Sequence, residues 1–245
     1  MAMRIFVVGT DTGVGKTAVT AALLRTAHAR GLRLVPFKPA QSGGDEPSDT
    51  ERSLLAAGLP LDELPAACPL RYELPLAPGL AEDCTPFLTP STDGSRSDFA
   101  AATPRREQLS VIARSVAALG AWEARHGSVL TLVEGAGGLY VPMPGGTWQP
   151  AWIVALAPWT IVVGRTGLGT INHCLATIAG LRALGRPPLG FVLSQTTATR
   201  DASTSDNAAV IAGVSGVPHL GTLPYGPEPA LVPELLDALL ARLPS

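Results

Sequence analysis

Both lysines of the chain fall in loops that directly follow a predicted strand. Lys16 lies in GTDTGVGKT, residues 9–17, and Lys38 lies in FKPAQSG, residues 37–43. The remaining sixteen of the eighteen basic residues are arginines. Lysine carries a compact charge on a flexible stem, whereas the arginine guanidinium is a rigid planar fork. Compositional drift toward arginine explains why lysine is scarce but not where the two lysines lie, so both are predicted to act on a reacting group.

The glycine-rich run is predicted to be a phosphate-binding loop. Strand Arg4–Val8 leads into it, and a helical pattern begins near Lys16. Backbone N–H groups of such a loop, together with the helix dipole, bind phosphate oxygens. Lys16 is expected to contact the β- and γ-phosphates of a nucleotide, and the Thr17 hydroxyl to bind Mg²⁺. The run has one residue more than the usual G-x-x-x-x-G-K-[ST] pattern, and a structural glycine turn is the alternative interpretation.

Lys38 is predicted to stand beside the γ-phosphate at the end of the second strand. Pro39 keeps Lys38 extended, which directs its side chain away from a helix. A second lysine near the first would stabilise charge on a transferring phosphoryl group. A solvated lysine at a strand end is the competing interpretation.

Four carboxylates follow Lys38 within a few residues: Asp45, Glu46, Asp49 and Glu51. One of them is a candidate ligand of Mg²⁺. A solvated acidic loop or a helix N-cap accounts for most residues of this kind. Asp49 precedes a helical pattern, so both interpretations stay open for it.

Glu134 closes the strongly apolar strand Val129–Glu134 and is followed by the glycine-rich residues 135–138. Glycines permit close approach of backbone to a ligand, and ligands of parallel sheets lie beyond the carboxyl ends of the strands. Glu134 is therefore predicted to contact a metal or a phosphate, with a bare turn as the alternative.

The elements that position these residues alternate between strand and helix. This alternation is typical of a parallel sheet covered on both faces, and predicts an α/β fold. The predicted strands are Arg4–Val8, Leu34–Lys38, Val129–Glu134, Thr160–Val163, Leu189–Leu193 and His219–Thr222. The predicted helices are Lys16–Arg30, Arg105–Arg125, Thr170–Leu184, Asp206–Ala212 and Pro233–Arg242.

The length of 245 residues suits a single domain, 1–245. Residues Pro60–Pro104 are rich in proline and interrupt the alternation, which indicates an irregular excursion packed over the active site or a subunit interface. Hydrophobic residues make up 46% of the chain and charged residues 16%, a pairing that hints at a buried interface between subunits.

Composition also argues against several classes of protein. A net charge of −2 offers no basic surface for nucleic acid. The chain has no apolar run of about 18 residues, so no membrane span is expected. Cys68, Cys84 and Cys174 are odd in number and widely spaced, which fits reduced thiols in the cytoplasm better than disulfides or a zinc site.

Five segments together resemble the dethiobiotin synthetase family. They fall in the family's order over most of the chain, with residues 60–104 and the last forty residues much weaker. The segments are GTDTGVGKT (9–17), FKPAQSG (37–43), SD (48–49), LVEGAGGLYVP (132–142) and VVGRTGLGTINH (162–173).

The resemblance implies a P-loop NTPase-like, three-layer α/β sandwich with a mostly parallel sheet of about seven strands, in a homodimer. It implies an ATP- and Mg²⁺-dependent cyclo-ligase that forms C–N bonds in biotin biosynthesis. The substrates would be 7,8-diaminononanoate, CO₂ (or bicarbonate) and ATP. The reaction would proceed through a carbamate and a carbamic–phosphoric anhydride to dethiobiotin.

The same resemblance implies roles for residues at the ends of the strands. Lys38 would be the catalytic lysine, and Lys16 would help to neutralise the carbamate and phosphates. Thr17, Asp49 and Glu134 would hold Mg²⁺. The nucleotide would contact Gly13, Val14, Gly15, Lys16, Thr17, Ala18, Asp49, Glu134, Gly135, Ala136, Gly137, Ser194, Gln195, Pro224 and Tyr225. The diamine or carbamate would contact Thr12 and Ser42, and across the dimer Leu168 and Asn172, although Asn172 and His173 also fit local caps or packed helix residues.

The chain departs from the family's pattern at the base. The family commonly has an Asn-Asp pair that reads the adenine, where this chain has Ser194 and Gln195. Gln195 would supply an amide contact and Tyr225 would stack on the ring. Gly13 also stands where the family has an acid.

Two other classes fit the phosphate loop less well. Amide-forming synthetases of the cobyrinic-acid type carry a glutaminase domain, for which 245 residues leave no room. Nucleotide-switch ATPases of the partitioning type carry an extra lysine near the start of this loop, where this chain has Asp11.

Overall fold

Strands and helices alternate along a computed structural model that describes residues 3–44, 47–88, 109–128, 130–199, 205–226 and 230–244. The strands are β1 (Met3–Gly9), β2 (Leu34–Phe37), β3 (Ala40–Ser42), β4 (Leu70–Tyr72), β5 (Leu130–Glu134), β6 (Pro142–Met143), β7 (Thr147–Trp148), β8 (Trp159–Arg165), β9 (Pro188–Ser194) and β10 (His219–Leu223). The helices are α1 (Lys16–Ala29), α2 (Asp49–Ala56), α3 (Leu64–Ala67), α4 (Pro78–Glu82), α5 (Thr85–Leu88), α6 (Leu109–His126), α7 (Gln149–Leu156), α8 (Thr170–Ala183), α9 (Asn207–Ser215) and α10 (Pro233–Leu240), with a 3₁₀ turn at Leu61–Glu63.

Six of these strands form one parallel sheet in the order β10-β9-β8-β1-β5-β2. The neighbouring interior strands β1 and β5 are mostly apolar and almost wholly buried, as expected of parallel strands covered on both faces. Their carboxyl ends therefore open on the same edge of the sheet.

Successive side chains of β1 point into two different cores, because side chains alternate across a strand. Phe6 and Val8 join the core that contains Trp122 and Trp152 of α6 and α7. Ile5 and Val7 join the core formed with α1 and α10. The sheet is thus the middle of three layers, and the predicted P-loop-like α/β architecture is confirmed.

The main sheet of the described residues has six strands, where about seven were expected. Strand β2 ends at Phe37, one residue before the predicted end at Lys38. It ends there because Pro39 has no N–H to donate and the Lys38 N–H bonds to Ala67 O at 2.9 Å. The chain then enters β3, which pairs with β4 in a separate two-stranded sheet. The residues after Lys38 are thereby turned out of the main sheet.

The described part of the 60–104 excursion packs against the segments that follow β2 and β5. Ser42 Oγ donates to Leu76 O at 2.5 Å, and the Glu82 carboxylate accepts from Tyr72 Oη at 3.0 Å and from Gly145 N at 2.5 Å. Helix α4 contacts β3, β4 and β6. Residues 89–108 lie outside the described residues, so the prediction that the whole excursion covers a site or an interface stays a prediction.

Among the helices that the structure describes, none combines the length and the apolar character needed to cross a membrane.

Candidate active site

The turn between β1 and α1 leaves the amino end of the helix open toward a ligand. Gly13 and Gly15 adopt positive φ of 71° and 94°, a region that favours glycine. Within the described residues, no side chain caps α1, and its first turn contains no acidic residue. The backbone N–H groups at this end are therefore available to an anion.

Lys16 is buried at the start of α1 and reaches back across the turn. Its Nζ donates to Asp11 O at 3.0 Å. Burial lowers the pKa of Lys16 to about 8; Glu134 opposes the shift and Lys38 adds to it. A Cβ on Gly9 would lie 2.6 Å from this Nζ, so the absence of a side chain at residue 9 makes room for the ammonium.

Lys38 places its ammonium between two carboxylates that are distant in sequence. Nζ lies 2.8 Å from Glu134 Oε1 and 2.5 Å from Asp49 Oδ2. Lys38 and Glu134 are buried, whereas the Asp49 side chain is 47% exposed. Strands β2 and β5 are neighbours, which brings Lys38 and Glu134 together at one edge of the sheet.

The ion pairs dominate the charge state of this cluster. Burial alone would lower the pKa of Lys38, but Glu134 and Asp49 outweigh it and hold that pKa above its ordinary value. Partial burial would raise the pKa of Asp49, yet the charge and hydrogen bond of the Lys38 ammonium hold it below its ordinary value. Lys38 is therefore an ammonium and Asp49 a carboxylate near neutral pH.

The oxygen atoms of Thr17, Asp49 and Glu134 converge in a way that fits Mg²⁺. Thr17 Oγ1 donates to Glu134 Oε1 at 2.8 Å. Among the described residues, no group of three or more His, Cys, Asp or Glu is arranged to hold a metal by itself. Mg²⁺ characteristically takes one or two carboxylates and completes its shell with waters and nucleotide phosphates, so this donor set suits it.

A capping box fixes the position of Asp49. Ser48 N donates to Glu51 Oε2 at 2.7 Å, and Glu51 N donates to Ser48 Oγ at 3.4 Å, so α2 begins at Asp49. Gln41 Oε1 accepts from Thr50 Oγ1 at 2.8 Å and ties the helix to β3. Glu51 thus serves as a cap, while the predictions for Asp45 and Glu46 fall outside the described residues.

A buried glutamine holds the glycine-rich loop that follows β5. Gln149 is fully buried; its Oε1 accepts from Ala136 N at 2.8 Å and its Nε2 donates to Gly138 O at 2.6 Å. A Cβ on Gly135 would lie 2.9 Å from Gln149 Oε1. The conformation of this loop therefore depends on the absence of a side chain at Gly135 and on the hydrogen bonds of the Gln149 amide.

Replacing Gln149 by methionine should lower the free energy of unfolding by about 2 kcal/mol, because two loop groups lose their partner. Urea unfolding measures this change. The same change at Gln195, whose amide bonds only exposed loop carbonyls, is the control and should cost less than about 0.5 kcal/mol. Equal stability of the Gln149 variant and the parent would contradict the assigned role.

A cleft of about 900 Å³ runs from the phosphate loop to the ends of β9 and β10. Its lining includes Gly15, Thr17, Ala18, Ser194, Gln195, Pro224 and Tyr225, all of which were predicted to contact the nucleotide. Ser194 packs so closely on Gly15 that a Cβ at residue 15 would overlap its side chain. Gly15 of the phosphate loop is therefore in direct contact with Ser194 at the end of β9.

The residues predicted to contact the substrate lie at two places. Thr12 borders the 135–138 loop, where a Cβ on Gly137 would lie 3.1 Å from Thr12 Oγ1, and Ser42 lies at the end of β3. Leu168 and Asn172 are exposed on the loop after β8 and the first turn of α8. All strands of the main sheet are parallel, so the loop after β8 opens on the same edge as the loops after β1 and β5. Strand β1 lies between β8 and β5, so Leu168 and Asn172 stand at a different position along that edge from the 135–138 loop that Thr12 borders.

The sequence alone did not point to Gly9, Gln149 or Asn207. Gly9 is recognisable only as part of a glycine-rich run. Gln149 and Asn207 are buried, and each holds a loop through two hydrogen bonds of its side-chain amide, for which no sequence pattern exists.

Comparison with known proteins gives a consistent result. A family model described as an AAA domain matches residues 3–86 and 96–232. The ATP-dependent dethiobiotin synthetase of Anaeromyxobacter dehalogenans is 41% identical over 239 residues, which covers 97% of this chain and 96% of the relative. That of Rhodococcus erythropolis is 36% identical, covering 91% and 89%.

Solved structures support the fold alone. The cell division protein MinD of Aquifex aeolicus has a TM-score of 0.53 at 12% identity, covering 98% of this chain and 96% of MinD. The signal recognition particle receptor FtsY of Elizabethkingia anophelis has a TM-score of 0.52 at 12% identity, covering 98% and 65%.

Proposed function

Because the chain belongs to the dethiobiotin synthetase family, it is a ligase that forms C–N bonds in biotin biosynthesis, and we propose a mechanism for its site. The substrates are 7,8-diaminononanoate, CO₂ and ATP, with Mg²⁺ as cofactor. The observation that supports this proposal most directly is that the Lys38 ammonium lies between Glu134 and Asp49, with Lys16 at the adjoining phosphate loop.

The proposed reaction has three steps. An amine nitrogen attacks CO₂ and releases a proton to solvent water, which yields a carbamate. A carbamate oxygen then attacks the γ-phosphorus and ADP leaves, which yields the carbamic–phosphoric anhydride. The second amine attacks the carbamoyl carbon, the ureido ring closes, and phosphate leaves and accepts the proton. No separate strong base is needed.

Lys38 and Lys16 act on the negative charge that collects in the second step. Carbamate and triphosphate repel each other, and fixed ammonium groups in a water-poor site reduce that repulsion. Lys38 lies on the carbamate side and Lys16 on the nucleotide side. Mg²⁺, held through Thr17, Asp49 and Glu134, would supply further neutralisation of the phosphates.

The homodimer and the cross-subunit contacts belong to the same proposal. Leu168 is 78% exposed, so its side chain is accessible to a ligand or to a second subunit. In a homodimer, Leu168 and Asn172 of one subunit would meet the aliphatic tail and carboxylate of the diamine bound to the other subunit. Thr12 and Ser42 would contact the carbamate end within one subunit.

The direct test is an assay with the diamine, ¹³C-bicarbonate, Mg²⁺ and ATP. We expect one labelled dethiobiotin per ADP, with the label in the ureido carbonyl, measured by mass spectrometry. Absence of dethiobiotin with ATP, CTP and GTP alike would refute the proposal.

Gln195 should make the nucleotide site favour bases with an exocyclic amine. Its Nε2 donates to Thr197 O at 3.1 Å and Ala198 O at 3.4 Å. Carbonyls only accept hydrogen bonds, so the amide nitrogen must face them, and Oε1 is left to accept from a base. We expect ATP to bind about tenfold more tightly than ITP, which carries an oxygen in place of the amine.

Isothermal titration without the diamine measures this difference. Gln195→Met should bring the ATP and ITP affinities together, while the affinity for inorganic tripolyphosphate, which has no base, stays the same. Equal binding of ATP and ITP by the parent protein would contradict the role of Gln195.

A further inference from the structure

The loop between β8 and α8 is anchored by a buried asparagine from a different helix. Asn207 is 4% exposed, and its Nδ2 donates to Thr166 O at 2.8 Å and to Gly167 O at 3.4 Å. On its other side the loop is bound to the sheet, because Thr166 N donates to Ser194 O at 3.1 Å. The two residues before Leu168 are therefore held from two directions.

These bonds go to the loop and not to the helix that carries the asparagine. Asn207 is not the N-cap of α9, a place that Asp206 takes, so its side chain is not engaged in capping the helix. Here the first helical residue of α9 donates to carbonyls 40 and 41 residues away. Since both partners are carbonyls, only the amide nitrogen can face them, and an aspartate there would present an oxygen to two oxygens.

The anchor determines what the loop presents to its surroundings. Gly169 has a φ of 89° and directs the chain into α8, whose Thr170 N donates to Gly167 O at 3.3 Å. Between these fixed points Leu168 projects outward and is 78% exposed. Helix α9 packs on α8, and this packing fixes the position of Asn207 relative to the loop.

We propose that Asn207 is a positioning residue that sets the loop 166–169 against the aliphatic tail of the diamine bound to the partner subunit. The inference rests on the proposed function. It adds a residue that touches neither substrate nor nucleotide and acts only through the loop carbonyls.

Two variants test the anchor by separating KM from kcat. Asn207→Ala removes both bonds, and Asn207→Asp adds repulsion. We expect KM for 7,8-diaminononanoate to rise on the order of tenfold in the alanine variant and further in the aspartate variant. We expect kcat to change less than about threefold and the ATP dissociation constant less than about twofold.

A matched control distinguishes positioning from loss of helix stability. Ser215 lies at the other end of α9, where its buried hydroxyl donates to Ile211 O at 2.6 Å and accepts from Val217 N at 3.1 Å. Ser215→Ala should lower the unfolding midpoint and leave KM for the diamine unchanged.

Mixed dimers test whether the loop acts on the partner. One subunit carries Lys38→Ala with an intact Asn207; the other carries Asn207→Asp with an intact Lys38. In the mixed dimer the only site with Lys38 receives the intact loop of the other subunit. We expect it to show the parent KM at about half the parent turnover per dimer.

Three results would overturn the inference: a parent-like KM in both Asn207 variants, an equal rise of KM in Ser215→Ala, or a mixed dimer that keeps the high KM. A parent protein that makes no dethiobiotin would instead refute the proposed function.

Discussion

Replacing Lys38 by arginine should lower kcat by about 10³-fold and leave the affinity for ATP within about threefold of the parent value. The charge is kept, but the planar guanidinium is too large for the space between Glu134 and Asp49, where Nζ lies 2.8 and 2.5 Å from the two carboxylates. Residues 13–17 are untouched, so nucleotide binding is preserved. Single-turnover kinetics and calorimetric titration measure the two quantities separately.

A control exchange shows whether the effect belongs to the site. Arg30 pairs with Asp237 at an exposed position, and Arg30→Lys should leave kcat unchanged. Normal turnover by Lys38→Arg would mean that Lys38 only neutralises its two carboxylates and takes no part in phosphoryl transfer.

Replacing Gly9 by alanine should weaken ATP binding on the order of 100-fold. The added Cβ would lie 2.6 Å from Lys16 Nζ, 2.7 Å from Gly137 O and 2.8 Å from Asp11 O. Two of these atoms belong to the backbone, so the ammonium must leave its place at the phosphates or the loop must shift. Titration of ATP and of ADP would reveal the loss.

The control for this substitution is Gly120 in α6, where an added Cβ would meet nothing within 4 Å. Gly120→Ala should raise the free energy of unfolding by about 0.5–1 kcal/mol, because glycine is a poor helix former, and should leave nucleotide binding unchanged. Undiminished ATP affinity in Gly9→Ala would show that Lys16 has room to move without loss.

The meeting of residues at strand ends could be predicted from the sequence, because the fold brings these ends together. Lys16, Lys38 and Glu134 each follow an apolar run, and the carboxyl ends of neighbouring parallel strands meet by construction. The alternation of short apolar runs with helical spacing also placed six strands, with boundaries close to those observed. Asp49 was expected to precede a helix, and the structure shows it as the first residue of α2, with Ser48 as the N-cap.

Features that leave no periodic signal in the sequence could not be predicted. Helix α7 was missed because six of its eight residues are buried, so it shows no apolar stripe to mark it as a helix. Gln149 and Asn207 stabilise loops through hydrogen bonds that depend on tertiary placement alone. The early end of β2 follows from Pro39 together with a distant carbonyl of Ala67, and only the first of these is visible in the sequence.

The strand order has a consequence for how this protein can change over evolutionary time. Strands β1, β5 and β2 lead into the residues proposed for chemistry, while β9 and β10, on the other side of β8, end at the part of the cleft that is proposed to bind the base. On the proposed assignment, substitutions at Gln195 or Tyr225 would alter the choice of nucleotide while the reacting groups stay in place. Ser194 is different, because it touches Gly15 of the phosphate loop. On that assignment base preference would change through residue 195, whereas the contact with Gly15 favours a small side chain at residue 194.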